Sequence, residues 1–211
     1  TVQQGEIHAL LGENGARKST LMNSLTGLLQ PTSGEILING KKVSVDSPSK
    51  SDALGIGMVH QHFMLIDAFT VTENIILGSE VTKGLSLDTK TAAKKIQALS
   101  DQYGLSVDPM AKISDISVGQ QQRVEILKTL YRGADILIFE EPTAVLTPQE
   151  IDELIVIMHN LAQEGKSIIL ITHKLDEIRA AADTVTVIRS GKSIDTFPVA
   201  GVSSQELADL M

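Results

Sequence analysis

The segment Gly12-Glu13-Asn14-Gly15-Ala16-Arg17-Lys18-Ser19-Thr20 constrains the fold more than any other part of this chain. It matches the phosphate-loop pattern G-x-x-x-x-G-K-[ST], except that Arg17 stands where the pattern has glycine. An apolar run, Ile7 to Leu11, precedes it, and Leu21, Leu25 and Leu28 follow at helical spacing. Strand, glycine-rich loop and helix in that order make a phosphate site, because loop N–H groups and the positive end of the helix converge. Backbone N–H groups around Gly12 to Lys18 are expected to surround the phosphates, with Lys18 reaching the β and γ groups and Ser19 holding Mg²⁺.

The chain continues as an α/β pattern. Glu35-Ile36-Leu37-Ile38 runs into the hairpin turn Asn39-Gly40, and Gly57-Met58-Val59-His60-Gln61 reads as a short buried strand with a polar end. From His62 to Gly133 apolar residues fall at helical spacing, for example Ala92, Ile96, Leu99 and Tyr103, so residues 62–133 read as an inserted helical subdomain. Strand signals return at Ile136 to Phe139, Ser167 to Thr172 and Thr184 to Ile188, with a helix over Pro148 to Gln163. That alternation implies βαβ units and a largely parallel sheet, with residues 1–61 and 134–211 as its core. Thr1-Val2 reads as the middle of a strand, so the natural start is expected to lie upstream.

Composition narrows the function classes. A chain of 211 residues is most simply one α/β domain that buries roughly 70% of its unfolded surface. It has no cysteine, which excludes disulfides and thiolate metal sites and agrees with a cytosolic protein. A net charge of -8 argues against a nucleic-acid partner. Runs such as Ile136 to Phe139 are strand-sized, well short of the ~20 residues that span a bilayer, and no charged, apolar leader suggests secretion.

Other segments carry chemistry. Ile136-Leu137-Ile138-Phe139-Glu140-Glu141 is an apolar strand ending in two carboxylates, one placed to serve Mg²⁺ and the next to polarise a water. Ser117-Val118-Gly119-Gln120-Gln121-Gln122-Arg123 opens another helix, and Ser117 with Gln120 also forms an S-x-x-Q capping box; both roles can hold at once. His173 follows the Ser167 to Thr172 strand, where parallel sheets place ligand-binding groups. His60 and His62 lack a third metal ligand nearby in sequence, which leaves Gln61 as the residue of interest.

In this order, Gly12 to Thr20, Gln61, Ser117 to Gln121, Ile136 to Glu141 and His173 resemble the nucleotide-binding domain of an ABC transporter. The resemblance covers nearly the whole chain. It implies a P-loop NTPase (RecA-like) core with an antiparallel β portion and an inserted helical subdomain. It also implies Walker A at Gly12 to Thr20, the Q-loop at Gln61, the signature at Ser117, Gly119 and Gln120, Walker B ending at Glu140, the catalytic glutamate at Glu141 and the H-loop at His173. ATP and Mg²⁺ are the implied cofactors, with Ser19, Gln61 and Glu140 around the metal and Lys18, Glu141 and His173 acting on the γ-phosphate.

Glu141 to Glu150, with Ala144-Val145-Leu146-Thr147 inside it, is similar to the first half of tandem ATPases that serve sugar or nucleoside importers. The implied partners are a second ABC ATPase domain, transmembrane permease subunits and, indirectly, a solute-binding protein. The implied location is the cytoplasmic side of the membrane, peripherally bound. Arg17 adds a side chain where the backbone approaches phosphate, and positive φ there would add ~1–2 kcal/mol of strain. Glu140 replaces the family's aspartate and lengthens the arm, Ile116 is a mild swap, and no aromatic precedes Gly12 to stack on adenine. A degenerate domain that binds nucleotide weakly and a soluble ABC-type ATPase of DNA repair or translation are the rival readings.

Overall fold

The computed structural model describes residues 1–13, 15–80, 82–83 and 86–210. The first half comprises β1 (Ile7–Leu11), α1 (Lys18–Leu25), β2 (Ile36–Ile38), β3 (Lys41–Val43), α2 (Pro48–Ala53), β4 (Ile56–Val59), α3 (Val71–Ile76), β5 (Thr82–Lys83), β6 (Ser86–Leu87) and α4 (Thr89–Tyr103). The second comprises α5 (Val118–Tyr131), β7 (Ile136–Glu140), α6 (Pro148–Gln163), β8 (Ser167–Thr172), α7 (Leu175–Ala181), β9 (Thr184–Arg189), β10 (Lys192–Pro198) and α8 (Ser204–Leu210).

The main sheet has the order β10-β9-β1-β8-β7-β4, with β10 antiparallel and the other pairings parallel. A parallel strand with both faces covered reads as a continuous apolar run, which is why all five residues of β1 are buried between β8 and β9. His8 breaks that run but is satisfied: Nδ1 lies 2.9 Å from Glu6 Oε1 and Nε2 lies 2.7 Å from Thr186 Oγ1. Register aligns Leu11 with Thr172, Glu140 with Ile171 and Val59 with Phe139. The residues that follow these strands therefore meet along one edge of the sheet, as open α/β ligand sites require.

The antiparallel portion comprises β10 and the β2–β3 hairpin, a separate two-stranded sheet across the Asn39-Gly40 turn. Residues 62–133 carry α3, α4 and α5, together with a β5–β6 hairpin that helical spacing did not announce. Their apolar faces do not form a private core. Val71, Ile75, Ile96 and Ile126 belong to one buried cluster with Leu137, Phe139, Ile168 and Leu170 of the sheet. Ala92, Ile96 and Tyr103 are buried at the expected helical spacing, with Leu99 packed beside them.

Some expected boundaries move. The first helix ends at Leu25, not Leu28, which is 62% exposed. The chain turns away at Gly27, where φ is +74° and an added Cβ would stand 2.4 Å from the Ser47 backbone. The strand expected over Gly57 to Gln61 ends at Val59, and Thr1-Val2 carries no strand ladder. Among the described residues no helix is long and apolar enough to cross a membrane.

Candidate functional site

The phosphate loop is seated on the end of β9. At Gly12 a Cβ would come within 2.3 Å of the Ile188 carbonyl oxygen, so only glycine fits this crossing. The loop closes through Ala16 N–H donating to Glu13 O (3.1 Å) and is tied to the next turn by Gly191 N–H donating to Ala16 O (3.1 Å). Gly15 has φ +87° with open space around it, Asn14 lies outside the described residues, and Thr20 is exposed on α1.

Arg17 occupies the left-handed region with φ 69° and ψ 26°, at the N-cap of α1. Here a non-glycine residue carries ~1–2 kcal/mol of strain, as the positive φ requires. Its stem lies against the β9–β10 turn, with Cδ 3.2 Å from where a Cβ on Gly191 would stand. The loop thus keeps a glycine-like path while the arginine side chain rests on the neighbouring turn.

Lys18 is only 7% exposed, and its Nζ donates to Gly12 O (2.5 Å) and Glu13 O (3.2 Å). Burial pushes its pKa below the ordinary lysine value, while the charges of Glu141 and Glu140 oppose that shift. Its neighbour Ser19 donates from Oγ to Glu140 Oε1 at 2.7 Å. Glu140 ends β7, and its other oxygen stands 3.9 Å from His60 Nδ1. The longer arm of glutamate therefore still reaches the serine that opens α1.

Glu141 comes next, with φ 44°, another left-handed non-glycine residue. Its N–H donates to Ile171 O (2.9 Å), and its Oε1 lies 2.9 Å from His173 Nδ1 at the end of β8. Gln61 is exposed just past β4, on the same edge of the sheet. Lys18, Ser19, Glu140, Glu141, His60 and His173 thus converge, although they come from four separate parts of the chain.

This cluster fits a small hard cation and a polyphosphate. Among the described residues no three His, Cys, Asp or Glu side chains gather into a metal site. Mg²⁺ does not need such a cage: it is commonly held by one or two carboxylates, substrate phosphates and waters. One hydroxyl and one carboxylate already in contact, beside a desolvated lysine and a helix N-terminus, match that demand.

Ser117, Gly119 and Gln120 stand apart from this cluster in their bonding. Ser117 caps α5 in a complete capping box with Gln120. Gly119 N–H donates to Glu150 Oε1 at 3.1 Å. The same Glu150 accepts from Thr147 N–H and Thr147 Oγ1 at 2.9 Å, closing the capping box of α6. Its pKa is lowered, first by the Thr147 backbone bond and then by the Thr147 hydroxyl, with a smaller contribution from Gly119 and with desolvation opposing. One carboxylate therefore fastens the first turns of two helices. Sequence reading missed this double role, although the pattern Thr147-x-x-Glu150 announces half of it.

Also missed was a polar knot behind Glu141 and His173, made of Thr143, Thr172, Lys174 and Glu177. Thr143, Thr172 and Glu177 are buried. Thr172, Lys174 and Glu177 bond within a short stretch of chain, but Thr143 joins them from 31 and 34 positions away, and no local motif announces that meeting.

Residues 1–144 match the family model described as ABC transporter. The nucleoside import ATP-binding protein NupA of Lactococcus lactis subsp. cremoris is 74% identical over 210 residues, covering 100% of this chain and 42% of that protein. The guanosine import ATP-binding protein NupO of Bacillus subtilis is 66% identical over 210 residues, covering 100% of this chain and 41% of that protein. The chain thus spans about two fifths of the length of these relatives. Among solved structures, CbiO1 of Clostridium perfringens, part of the ABC transporter complex CbiONQ, superposes with a TM-score of 0.83 at 29% identity, covering 99% of this chain and 83% of that one.

Proposed function

The chain belongs to the ABC transporter family, and from that premise we propose that it is an ATP-binding and ATP-hydrolysing half of an importer for nucleosides or simple sugars. The observation that carries the reading is the meeting of Ser19 with Glu140 and of Glu141 with His173 beside the phosphate loop. The two import ATP-binding relatives support the solute class, and their greater length supports a second ATPase domain in the same polypeptide. Residues 1–61 and 134–211 form the core in this reading, and residues 62–133 the helical subdomain that faces permease subunits. A solute-binding protein acts further upstream, and the site works at the cytoplasmic face of the membrane.

In this mechanism the loop N–H groups of residues 12–18 and the N-terminus of α1 receive the triphosphate of ATP. Lys18 exchanges its bonds to Gly12 O and Glu13 O for β- and γ-phosphate oxygens, which offset its burial better than carbonyls do. Ser19, Glu140 and Gln61 would hold Mg²⁺, which would supply neutralising charge on those oxygens. Glu141 orients and polarises the attacking water, while His173, held at 2.9 Å, stabilises charge on the γ-phosphate. Ser117, Gly119 and Gln120 present the α5 N-terminus to ATP on a second domain, so that closing and opening of the pair drives transport.

The test is calorimetric titration with Mg-ATP, followed by hydrolysis measured on the full-length protein. The reading expects saturable binding that is lost in Lys18→Ala, together with phosphate release that falls roughly 10²-fold or more in Glu141→Gln. A protein that binds no nucleotide would instead be a degenerate domain that keeps only the fold.

A further inference from the structure

Glu141 and His173 touch each other, yet neither is held where it stands by its own local structure. Glu141 sits in the left-handed region, which a non-glycine residue keeps only when its surroundings insist. His173 is 48% exposed as a side chain, and its described hydrogen-bond partner is Glu141 itself. What fixes the pair lies beneath it.

Glu177, in the first turns of α7, is 7% exposed, and its two oxygens take different partners. Oε1 accepts from the hydroxyl of Thr143, which follows Glu141 and Pro142. Oε2 accepts from the hydroxyl of Thr172 at 3.1 Å, and Thr172 immediately precedes His173. Lys174, which immediately follows His173, closes the knot three ways. Its N–H donates to Thr172 Oγ1 (3.1 Å), and its Nζ donates to Thr143 Oγ1 (2.9 Å) and pairs with Glu177 Oε1 (3.0 Å). His173 is therefore gripped on both sides through Glu177, and Glu141 is gripped between Ile171 O and Thr143.

We propose that Glu177, acting with Thr143, Thr172 and Lys174, is a positioning residue that sets the contact between Glu141 and His173 and so governs hydrolysis without touching ATP. The proposal rests on the function proposed above for Glu141 and His173. A network of this kind, with Thr143, Thr172 and Glu177 buried and Lys174 half-exposed at its rim, specifies one arrangement, whereas apolar residues of the same shape would pack equally well and specify none. Misplacing a reacting group by about 1 Å can slow a reaction ~10²-fold, so a slack knot should be visible in turnover long before it is visible in folding.

Thr143→Val and Thr143→Ser separate these effects, since valine keeps the shape of threonine and serine keeps its hydroxyl. In the full-length protein, Thr143→Val should lower hydrolysis at least ~10-fold while Mg-ATP affinity stays within about twofold, and Thr143→Ser should retain near-normal turnover. In a Glu141→Gln background Thr143→Val should add no further loss, because both act at the same step. Glu177→Gln should behave like Thr143→Val. Equal losses in the valine and serine variants, or losses that follow melting temperature rather than the hydroxyl, would overturn the proposal.

A second readout does not depend on activity. The His173 ring signals in a ¹H–¹³C spectrum, assigned with His173→Gln, should shift in Thr143→Val and Glu177→Gln and stay in place in Thr143→Ser. Unchanged signals in all variants would also overturn the positioning role. A protein that hydrolyses no ATP would defeat the proposed function alone, and the ring signals would still decide whether Glu177 sets the pair.

Discussion

Gly119→Ala should destabilise this protein, although alanine is the better helix former. Gly119 lies inside α5 and has no positive φ, so alanine meets no backbone strain there. The obstacle is Glu150: a Cβ at Gly119 would stand 2.5 Å from Oε1, 2.9 Å from Cδ and 3.0 Å from Cγ. The carboxylate is the flexible partner and has to swing out. With it goes the bond to Gly119 N–H, worth ~1.5 kcal/mol at the low end for a charged acceptor in a half-buried place. The bond that the same carboxylate accepts from Thr147 N–H at the start of α6 is worth about 0.5–1 kcal/mol more, while Thr147 Oγ1 still caps the Glu150 N–H.

Replacing glycine by alanine returns ~0.5–1 kcal/mol. The net loss is therefore about 1–2 kcal/mol, a fall of roughly 2–8 °C in melting temperature for a chain of this size. Urea unfolding followed by circular dichroism on the native sequence, Gly119→Ala, Glu150→Ala and the double variant gives all four free energies. In the Glu150→Ala background the clash is gone, and Gly119→Ala should stabilise by ~0.5–1 kcal/mol. The sign of the substitution should thus reverse with its neighbour. Equal destabilisation in both backgrounds, or a gain in the native one, would refute the reasoning that Glu150 fills the space beside Gly119.

Glu141→Gln should lower turnover of the full-length protein by roughly 10²-fold or more while Mg-ATP binding persists, measured by phosphate release and titration; near-normal hydrolysis would leave another group to activate water. Arg17→Gly should raise unfolding stability by about 0.5–1 kcal/mol, because relief of left-handed strain outweighs the greater freedom of an unfolded glycine, and denaturation curves that coincide would contradict this. Lys18 has a pKa lowered mainly by burial, so free protein starts to lose that proton below the ordinary lysine range, whereas bound phosphate favours the charged form. Mg-ATP affinity should therefore fall as pH rises into the alkaline range, with proton uptake on binding, seen as a dependence of binding enthalpy on buffer ionisation heat; no uptake would argue against Lys18 facing phosphate. Gly57→Ala should cost ~1–3 kcal/mol by overpacking, since its Cβ would stand 2.8 Å from Thr129 Cβ and 2.9 Å from Ala134 Cβ, and thermal melts measure it.

Sequence by itself determined the elements whose causes are local. Thr147, Pro148 and Glu150 place the start of α6 by capping chemistry, and the helix runs Pro148–Gln163 as the pattern reads. Ile7–Leu11 and Ser167–Thr172 are strands because strand-sized apolar runs suit the middle of a parallel sheet. Gly12 to Thr20 announces the loop, since its glycines, lysine and serine act over a few neighbouring residues. Only the tertiary structure decided which residues meet.

Ser19 reaches Glu140, 121 positions away, because β7 and β1 end on the same edge with β8 between them. His8 can lie buried because Thr186 on β9 and Glu6 take its two ring nitrogens. Glu177 looks like an ordinary carboxylate on a short helix until the fold brings Thr143, 34 positions away, onto it. Strand order and helix packing are set by burial summed over the whole core, so contacts of this kind leave no signature in any window of neighbouring residues.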